Sequence, residues 1–252
     1  MNSTQEAFIL HLSEFLPDRK PGKRGTKPID KITLLTELFK LAKFNLGWRN
    51  IQYSSTCRNY LYEIQRRGKF KNFFNFLVKD FKKFRPKKTI TDSSDIVSYN
   101  TNSLVSYSGK YHNYCIKFSV RITPEYIPLE FSLDYGSRPD SKIYDDIIAG
   151  TDKLPYCENL DKGYENYDRR RNLEKQNCRL VIEMKRSGKN RKQGPRFKCM
   201  NQDKIIRSEI EKFISWMKAF MILRLNRLRI KSLISAMFLI ILSFQAFRQL
   251  KL

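Results

Sequence analysis

The sequence has few histidines, no paired cysteines and a shortage of acidic residues. Its five cysteines stand singly, with no CxxC pair. This spacing argues against a disulfide scaffold or a zinc site and favours a reduced, cytosolic protein. The two histidines, His11 and His112, have no sequence partner that suggests acid–base catalysis. The first residues lack a basic stretch and contain Glu6 and Glu14, so we expect no secretory signal.

No apolar run is long enough for a clear membrane span. The longest charge-free stretch, Ser232 to Phe247, has 16 residues between Lys231 and Arg248. At about 1.5 Å per residue such a helix covers roughly 24 Å, short of the ~30 Å hydrocarbon core. We therefore predict a buried helix and no membrane partner. A small membrane-anchored basic protein is the alternative, and membrane partition of residues 230–252 would separate the two.

Positive charge and apolar residues are both abundant. The 252 residues include 49 Lys and Arg against 25 Asp and Glu, a net charge of +24, and 41% are hydrophobic. The length allows one large domain or two small ones, and this charge favours a polyanionic partner. Residues 1–91 and 166–252 are strongly basic, whereas residues 92–165 hold 7 basic and 12 acidic residues. Carboxylates framed by basic segments suit an enzyme that places cations among phosphates.

Hydrophobic periodicity divides the chain into a helical part and a mixed part. Residues 1–87 contain a basic loop from Leu16 to Pro28 and then apolar residues at helical spacing. The pattern is compatible with a helix-turn-helix region that binds DNA, with Arg49 and Arg58 as contacts. Residues 88–252 show three successive strands and then alternating helices and strands, which predicts an α/β domain with a mixed sheet.

Three carboxylates stand out by their positions in these predicted elements. Asp92 lies near the end of a predicted strand, Asp161 lies where a strand meets a turn, and Glu211 lies on a long helix. A sheet can bring such side chains together, where their oxygens would bind Mg²⁺ or Mn²⁺. Asp95 lies in the same motif as Asp92 and remains an alternative. Each residue alone is also compatible with an ordinary turn or surface role.

In combination these residues match a known family pattern. Asp92-Ser93-Ser94 fits a D-(S/G)-(S/T) motif, residues 161–164 fit D-K-G-Y, and residues 207–218 fit R-x3-E-x6-K. Residues 136–140, Gly-Ser-Arg-Pro-Asp, have the form of a further G-N-x-x-D-like segment. The chain thus resembles DDE-type transposases of the insertion-sequence 4/5 group over almost its whole length. It departs from the family at Lys204, where a tyrosine is often found.

The resemblance implies an RNase H-like catalytic domain in which Asp92, Asp161 and Glu211 bind the metal. It implies cleavage at transposon ends and strand transfer into target DNA, and no other cofactor. Lys162, Arg207 and Lys218 would contact DNA phosphates.

The partners expected from the resemblance are the terminal inverted repeats and target DNA, bound by a homodimer in a synaptic complex. The expected location is the cytoplasm, in association with the nucleoid. The alternative is a non-catalytic, basic nucleic-acid-binding relative, although the intact acidic triad speaks against it.

Overall fold

A computed structural model describes most of the chain. It covers residues 1–18, 28–44, 46–98, 104–109, 112–164, 166–182, 201–220 and 231–252, with backbone alone for residue 162 and residues 201–207. Most of the basic loop from Leu16 to Pro28 lies outside the described residues. The sequence also predicts a polar loop at 185–201 and a long amphipathic helix at 205–229. Residues 185–200 and 221–229 lie outside the described ones, and Asn201 lies in a helix rather than in the predicted loop.

Four of the described α-helices precede the first strand, and strands and helices follow it, as the predicted division into a helical part and a mixed part requires. The described α-helices are α1 (Ser3–Phe15), α2 (Lys31–Phe44), α3 (Ser54–Arg66), α4 (Lys69–Lys83), α5 (Asp140–Ala149), α6 (Tyr167–Lys175), α7 (Asn201–Ala219) and α8 (Lys231–Leu250). The described strands are β1 (Lys88–Val97), β2 (Ser106–Ser108), β3 (Asn113–Ile122), β4 (Pro128–Tyr135), β5 (Cys157–Leu160) and β6 (Arg179–Ile182).

The strands form one mixed sheet. Its order is β2-β3-β1-β5-β6, and β4 also pairs with β3. The pairs β2–β3 and β3–β4 are antiparallel, whereas β1–β5 and β5–β6 are parallel. Strand β1 therefore lies centrally, between β3 and β5. The prediction of an α/β fold with a mixed sheet and packed helices is confirmed.

The chain forms two compact units. The first consists of Met1–Leu77, Ile96–Val105 and Trp216–Leu252, and the second of Val78–Asp95 and Ser106–Ser215. The first unit is helical in its packing, with α8 contacting α1, α2 and α3. Our proposed division into a DNA-binding region at 1–87 and a catalytic domain at 88–252 is a functional one, and it stays a prediction.

An aromatic core holds the helical unit together. The ring of Phe8 lies 6.0 Å from Phe39, 5.3 Å from Phe244 and 5.7 Å from Phe247, with tilted or edge-on geometry. These rings come from α1, α2 and α8, so residues distant in sequence share one core. Edge-on aromatic pairs of this kind add to the stabilisation that burial provides.

Helix α8 is the predicted C-terminal apolar helix. By length and composition it is apolar enough to cross a membrane, but 14 of its 20 residues are buried within the protein. A core helix of a globular protein has the same properties, because it must be apolar on most sides.

The second unit carries its core on one face of the sheet. Tyr144 of α5 and Leu173 of α6 are buried together with Leu160, Leu180 and Ile182 of the strands. Helices α5 and α6 therefore cover the face of β5 and β6 to which Leu160 points.

The described cysteines are unpaired, and three of them are buried. Burial raises the pKa of the Cys57 and Cys115 thiols to about 11 and that of Cys178 to about 12. The thiolate is the reactive form of cysteine. At pH 8 the raised pKa lowers the thiolate fraction roughly 100-fold for Cys57 and Cys115 and roughly 1,000-fold for Cys178.

In the folded chain at pH 8 we expect Cys57 and Cys115 to react with iodoacetamide roughly 100-fold more slowly than in urea, and Cys178 roughly 1,000-fold more slowly. The rate should rise as pH increases. Peptide mapping by mass spectrometry after timed labelling would measure this. Equal rates in the folded and unfolded chain would contradict the packing described here.

Candidate active site

Two of the predicted catalytic residues lie close to the end of one parallel ladder. The β1–β5 register pairs Lys88 with Cys157 and Ile90 with Asn159. Asp92, within β1, and Asp161, directly after β5, each lie two residues beyond the last of these pairs. Adjacent strands lie about 4.8 Å apart. Both aspartate side chains are half-buried near the point where the ladder ends.

The alternative aspartate, Asp95, points to the other face of the sheet. Successive strand residues alternate between faces. The Ser108 hydroxyl donates to Asp95 Oδ2 at 3.1 Å, and Lys117 Nζ lies 4.0 Å from Oδ1. Asp95 is therefore engaged in a polar cluster on the side that Thr91 and Ser93 also face. Asp92, three residues earlier on β1, points to the opposite face.

The segment after Asp161 is a tight turn. Residues Lys162–Tyr164 form a 3₁₀ turn, and the Tyr164 amide donates to the Asp161 carbonyl at 3.0 Å. The Tyr164 ring is buried 5.8 Å from Tyr144, and its hydroxyl lies 2.8 Å from Ser93 Oγ. Burial, and then the negative charge of Asp92, raise the pKa of Tyr164 above its usual range. Tyr164 thus anchors the turn beside the two aspartates.

Arg169 of α6 braces the same turn. Its guanidinium makes two bonds to the Asp145 carboxylate, at 2.7 and 3.0 Å, and one to the Ser141 carbonyl at 3.1 Å. It also donates to the carbonyl of Tyr164. A planar guanidinium holds several acceptors in fixed directions, so Arg169 ties the turn to α5.

The segment Gly136 to Asp140 joins β4 to α5. Lys117 Nζ lies 2.8 Å from Asp140 Oδ1 and donates to the Arg138 carbonyl at 2.8 Å. A Cβ on Gly136 would lie 2.5 Å from the Cys115 carbonyl oxygen and 2.8 Å from that of Ser106. The backbone approaches so closely here that only glycine fits.

We expect Gly136→Ala to destabilise the chain by about 3 kcal/mol, because backbone atoms must move to admit the methyl group. Gly109→Ala is the matched control, since a Cβ there has no atom within 4 Å. Urea unfolding of both variants would measure the difference. A Gly136→Ala chain as stable as the control would contradict the observed approach.

Glu211 lies on an exposed part of α7. Its neighbours Ile210, Phe213 and Ile214 are buried, as the helical spacing predicts. Across the described residues, no three side chains of His, Cys, Asp or Glu form a group that could hold a metal ion. Asp92 and Asp161 thus lie near the end of the same ladder, but among the described residues Glu211 does not join them in such a group.

The predicted DNA contacts lie in both units. Arg49 is exposed in a 3₁₀ turn (Trp48–Asn50), and Arg58 is exposed on α3. Lys218 is half-buried near the end of α7. The side chains of Lys162 and Arg207 lie outside the described residues. The helix-turn-helix interpretation of α2 and α3 stays a prediction.

A buried polar cluster, which the sequence motifs do not include, lies on the face of β1 to which Thr89 and Thr91 point. Glu158 is fully buried and accepts bonds from the Thr89 and Thr91 hydroxyls at 2.6 and 2.5 Å. Arg121 Nε lies 3.4 Å from Glu158, and Arg121 Nη1 donates to Glu130 at 3.2 Å. In the sequence, the sign of this cluster is a charged residue, Glu158, within a short strand.

Comparison with known proteins assigns the chain to a family. A family model described as the transposase DDE domain matches residues 83–246, more than half of the chain. No curated protein matches the sequence. A solved structure of the piggyBac transposase, in a synaptic complex with hairpin DNA, is similar in fold. Its TM-score is 0.52 at 11% identity, with 97% of this chain and 71% of that chain covered. The chain therefore belongs to the transposase DDE domain family.

Proposed function

We propose that this chain is a DNA transposase that cuts DNA at the ends of a mobile element and joins the freed ends to target DNA. Asp92, Asp161 and Glu211 are its proposed catalytic carboxylates. The observation that carries the proposal is the β1–β5 ladder, which ends two residues before Asp92 and two residues before Asp161 in a member of this family. Parallel strands present their carboxyl ends at one edge of a sheet, where catalytic groups are often found.

The two aspartates suit Mg²⁺ or Mn²⁺. Hard divalent cations prefer carboxylate oxygens, and both side chains are half-buried on neighbouring strands. Bound there, such ions would activate the attacking water or hydroxyl and stabilise the departing 3′ oxygen. Asp92 and Asp161 would hold the metal from fixed backbone positions. The exposed Glu211 carboxylate on α7 is the proposed third ligand.

The proposed substrate is duplex DNA, both the terminal inverted repeats and the target. The net charge of +24 supports a polyanionic partner, and the piggyBac transposase of similar fold was solved with hairpin DNA. Arg49 and Arg58 are exposed, as phosphate contacts require. Lys162, Arg207 and Lys218 are further proposed contacts. We also propose a homodimer in the synaptic complex and a cytoplasmic, nucleoid-associated location.

DNA binding by the full chain should depend steeply on salt. Each neutralised phosphate releases counterions, so log K falls by ~0.9 per contact for each unit of log salt. We expect about a 100-fold loss of affinity between ~50 and ~200 mM salt. Fluorescence anisotropy with a labelled duplex would measure it. The full chain is needed because α8 packs against α1, α2 and α3.

Arg49→Ala and Arg58→Ala should each lower that slope by ~0.9. Glu63→Ala, on the same helix α3 as Arg58, is a control for a change that removes no positive charge. An affinity that barely changes with salt would rule out an electrostatic binding surface.

Metal-dependent cleavage tests the proposed reaction. The purified chain would be incubated with Mn²⁺ and a panel of genomic fragments, and the products sized on denaturing gels. Discrete cuts that require Mn²⁺ support the proposal. Tight DNA binding without any metal-dependent cut would contradict it.

A second candidate function is DNA binding without cleavage. It is favoured by one observation, the lack of a three-carboxylate metal group within the described ranges. The same incubation separates the two functions, because a non-catalytic relative would retain binding and give no cut product.

A further inference from the structure

The buried Glu158 carboxylate joins the two strands that carry Asp92 and Asp161. Its Oε2 accepts the Thr89 hydroxyl at 2.6 Å and its Oε1 accepts the Thr91 hydroxyl at 2.5 Å. The side chain is fully buried. A buried carboxylate is costly unless hydrogen bonds and an opposite charge compensate for lost water.

Arg121 of β3 supplies that opposite charge. Its Nε lies 3.4 Å from Glu158 Oε2, and its Nη1 donates to Glu130 at 3.2 Å and to the Thr151 hydroxyl at 3.0 Å. A buried ion pair adds little stability compared with apolar residues of similar volume. Among the described residues, Arg121 Nε and Nη2 are buried without a hydrogen-bond partner, so the network is not fully hydrogen-bonded. Its effect on geometry therefore rests on the two threonine hydroxyls that bond Glu158.

The arrangement specified here is the register of a very short strand pair. Three residue pairs define the β1–β5 ladder, from Lys88–Cys157 to Ile90–Asn159. A slip of two residues keeps the same faces but moves one strand by about 6.6 Å along the other. The position of Asp92 relative to Asp161 along the strands would then change. Glu158 opposes such a slip because each of its oxygens engages a different threonine of β1.

We propose that Glu158 is a positioning residue for the active site. With Thr89 and Thr91 it fixes the register of the ladder that ends two residues before Asp92 and Asp161, and so it determines how well the two aspartates hold a divalent cation. The inference rests on the proposed function, since it assigns Glu158 a role in the same metal site. Thr91 directly precedes Asp92, so the hydrogen bond acts one residue from the ligand.

Substitutions of one hydroxyl test this role. Thr91→Val keeps the shape of the side chain and removes its hydrogen bond, whereas Thr91→Ser keeps the hydroxyl. Thr151→Val is the matched control, because Thr151 donates to Glu130 at 2.8 Å in the same Arg121 network but lies away from the β1–β5 pair. Mn²⁺ binding to the full chain is measured by the loss of the free-ion EPR signal, and stability by thermal unfolding.

We expect Thr91→Val to weaken Mn²⁺ binding about tenfold, as loss of a group that orients a metal ligand does. Thr91→Ser should bind within about twofold of the unmodified chain, and so should Thr151→Val, even if its unfolding temperature falls as much as that of Thr91→Val. If Thr91→Val does not fold, Thr89→Val applies the same test to the other oxygen of Glu158.

Two further results would separate failure of this inference from failure of the proposed function. Unchanged Mn²⁺ affinity in Thr91→Val, alongside lost affinity in Asp161→Asn, would overturn the positioning role and leave the metal site standing. An affinity that falls equally in Thr91→Val and Thr151→Val would also overturn it, since the effect would then follow stability. No Mn²⁺ binding by the unmodified chain, or full binding by Asp161→Asn, would refute the metal site itself.

Discussion

Asp92→Asn and Asp161→Asn will each lower Mn²⁺-dependent DNA cleavage by about 1,000-fold or more while the chain remains folded. Asparagine keeps the size of the side chain and one carbonyl oxygen but removes the negative charge that a hard cation requires. At Asp92 the retained oxygen can still accept the bond from the Ser93 amide, which is 2.8 Å long. Cleavage assays and circular dichroism on the same preparations would separate activity from folding.

Asp95→Asn is the matched control for this prediction. Asp95 lies three residues from Asp92 on the same strand, but its side chain contacts Ser108 and Lys117 on the other face. Asparagine can still accept the Ser108 hydrogen bond, so we expect cleavage to be retained. Loss of cleavage in Asp95→Asn with activity kept in Asp92→Asn would identify Asp95 as the first catalytic aspartate. Activity kept in Asp161→Asn would refute the site.

The effect of these variants on DNA binding gives a second distinction. Removing a carboxylate beside bound phosphates relieves like-charge repulsion, so duplex affinity should be kept or slightly raised in Asp92→Asn and Asp161→Asn. A variant that loses cleavage and duplex binding together would indicate a folding defect.

Strong periodicity made most of the fold predictable from sequence. The helices α2, α3 and α4 have apolar residues at helical spacing, and β1, β3 and β4 are rich in β-branched and aromatic residues. Helix α1 was expected only as a helix-like segment around His11, although its start carries a capping signal. Asn2 accepts a bond from the Gln5 amide at 3.0 Å, and the Gln5 side chain accepts one from Asn2 at 3.3 Å, as in a capping box. Strand β2 was not predicted, because its three residues are too few to show an alternating pattern of apolar and polar side chains.

Features set by pairing between distant segments could not be read from the sequence. The motifs identified Asp92 and Asp161 as candidates, but it takes the β1–β5 pairing to show that both lie two residues beyond the end of one ladder. Nor does the sequence reveal that Glu158 is buried against Thr89 and Thr91, because a glutamate in a four-residue strand is normally exposed. The association of α8 with the N-terminal helices is equally non-local, since apolar composition identifies a buried helix and not its neighbours.

Glu211→Gln should lower metal-dependent cleavage by about 100-fold or more with stability nearly unchanged. Glu211 is exposed, so loss of its charge costs the fold little. On α7 it lies about 40° beyond one turn from Arg207 and about 20° short of two turns from Lys218. The helical spacing therefore predicts that Arg207, Glu211 and Lys218 share one side of α7. Two cations flanking a carboxylate suit a helix that lies beside metal ions and DNA phosphates.

Glu209→Gln is the control, because Glu209 lies about 160° round the helix from Glu211. Its carboxylate is already engaged, accepting a bond from Lys212 at 2.6 Å, and glutamine retains an oxygen for that bond. Cleavage by the two variants should be measured side by side, together with Mn²⁺ affinity. Because Glu211 is not grouped with the aspartates in the chain alone, its substitution should reduce cleavage more than it reduces Mn²⁺ binding without DNA. Equal loss of cleavage in both variants, or loss only in Glu209→Gln, would mean that Glu211 is not the third catalytic carboxylate.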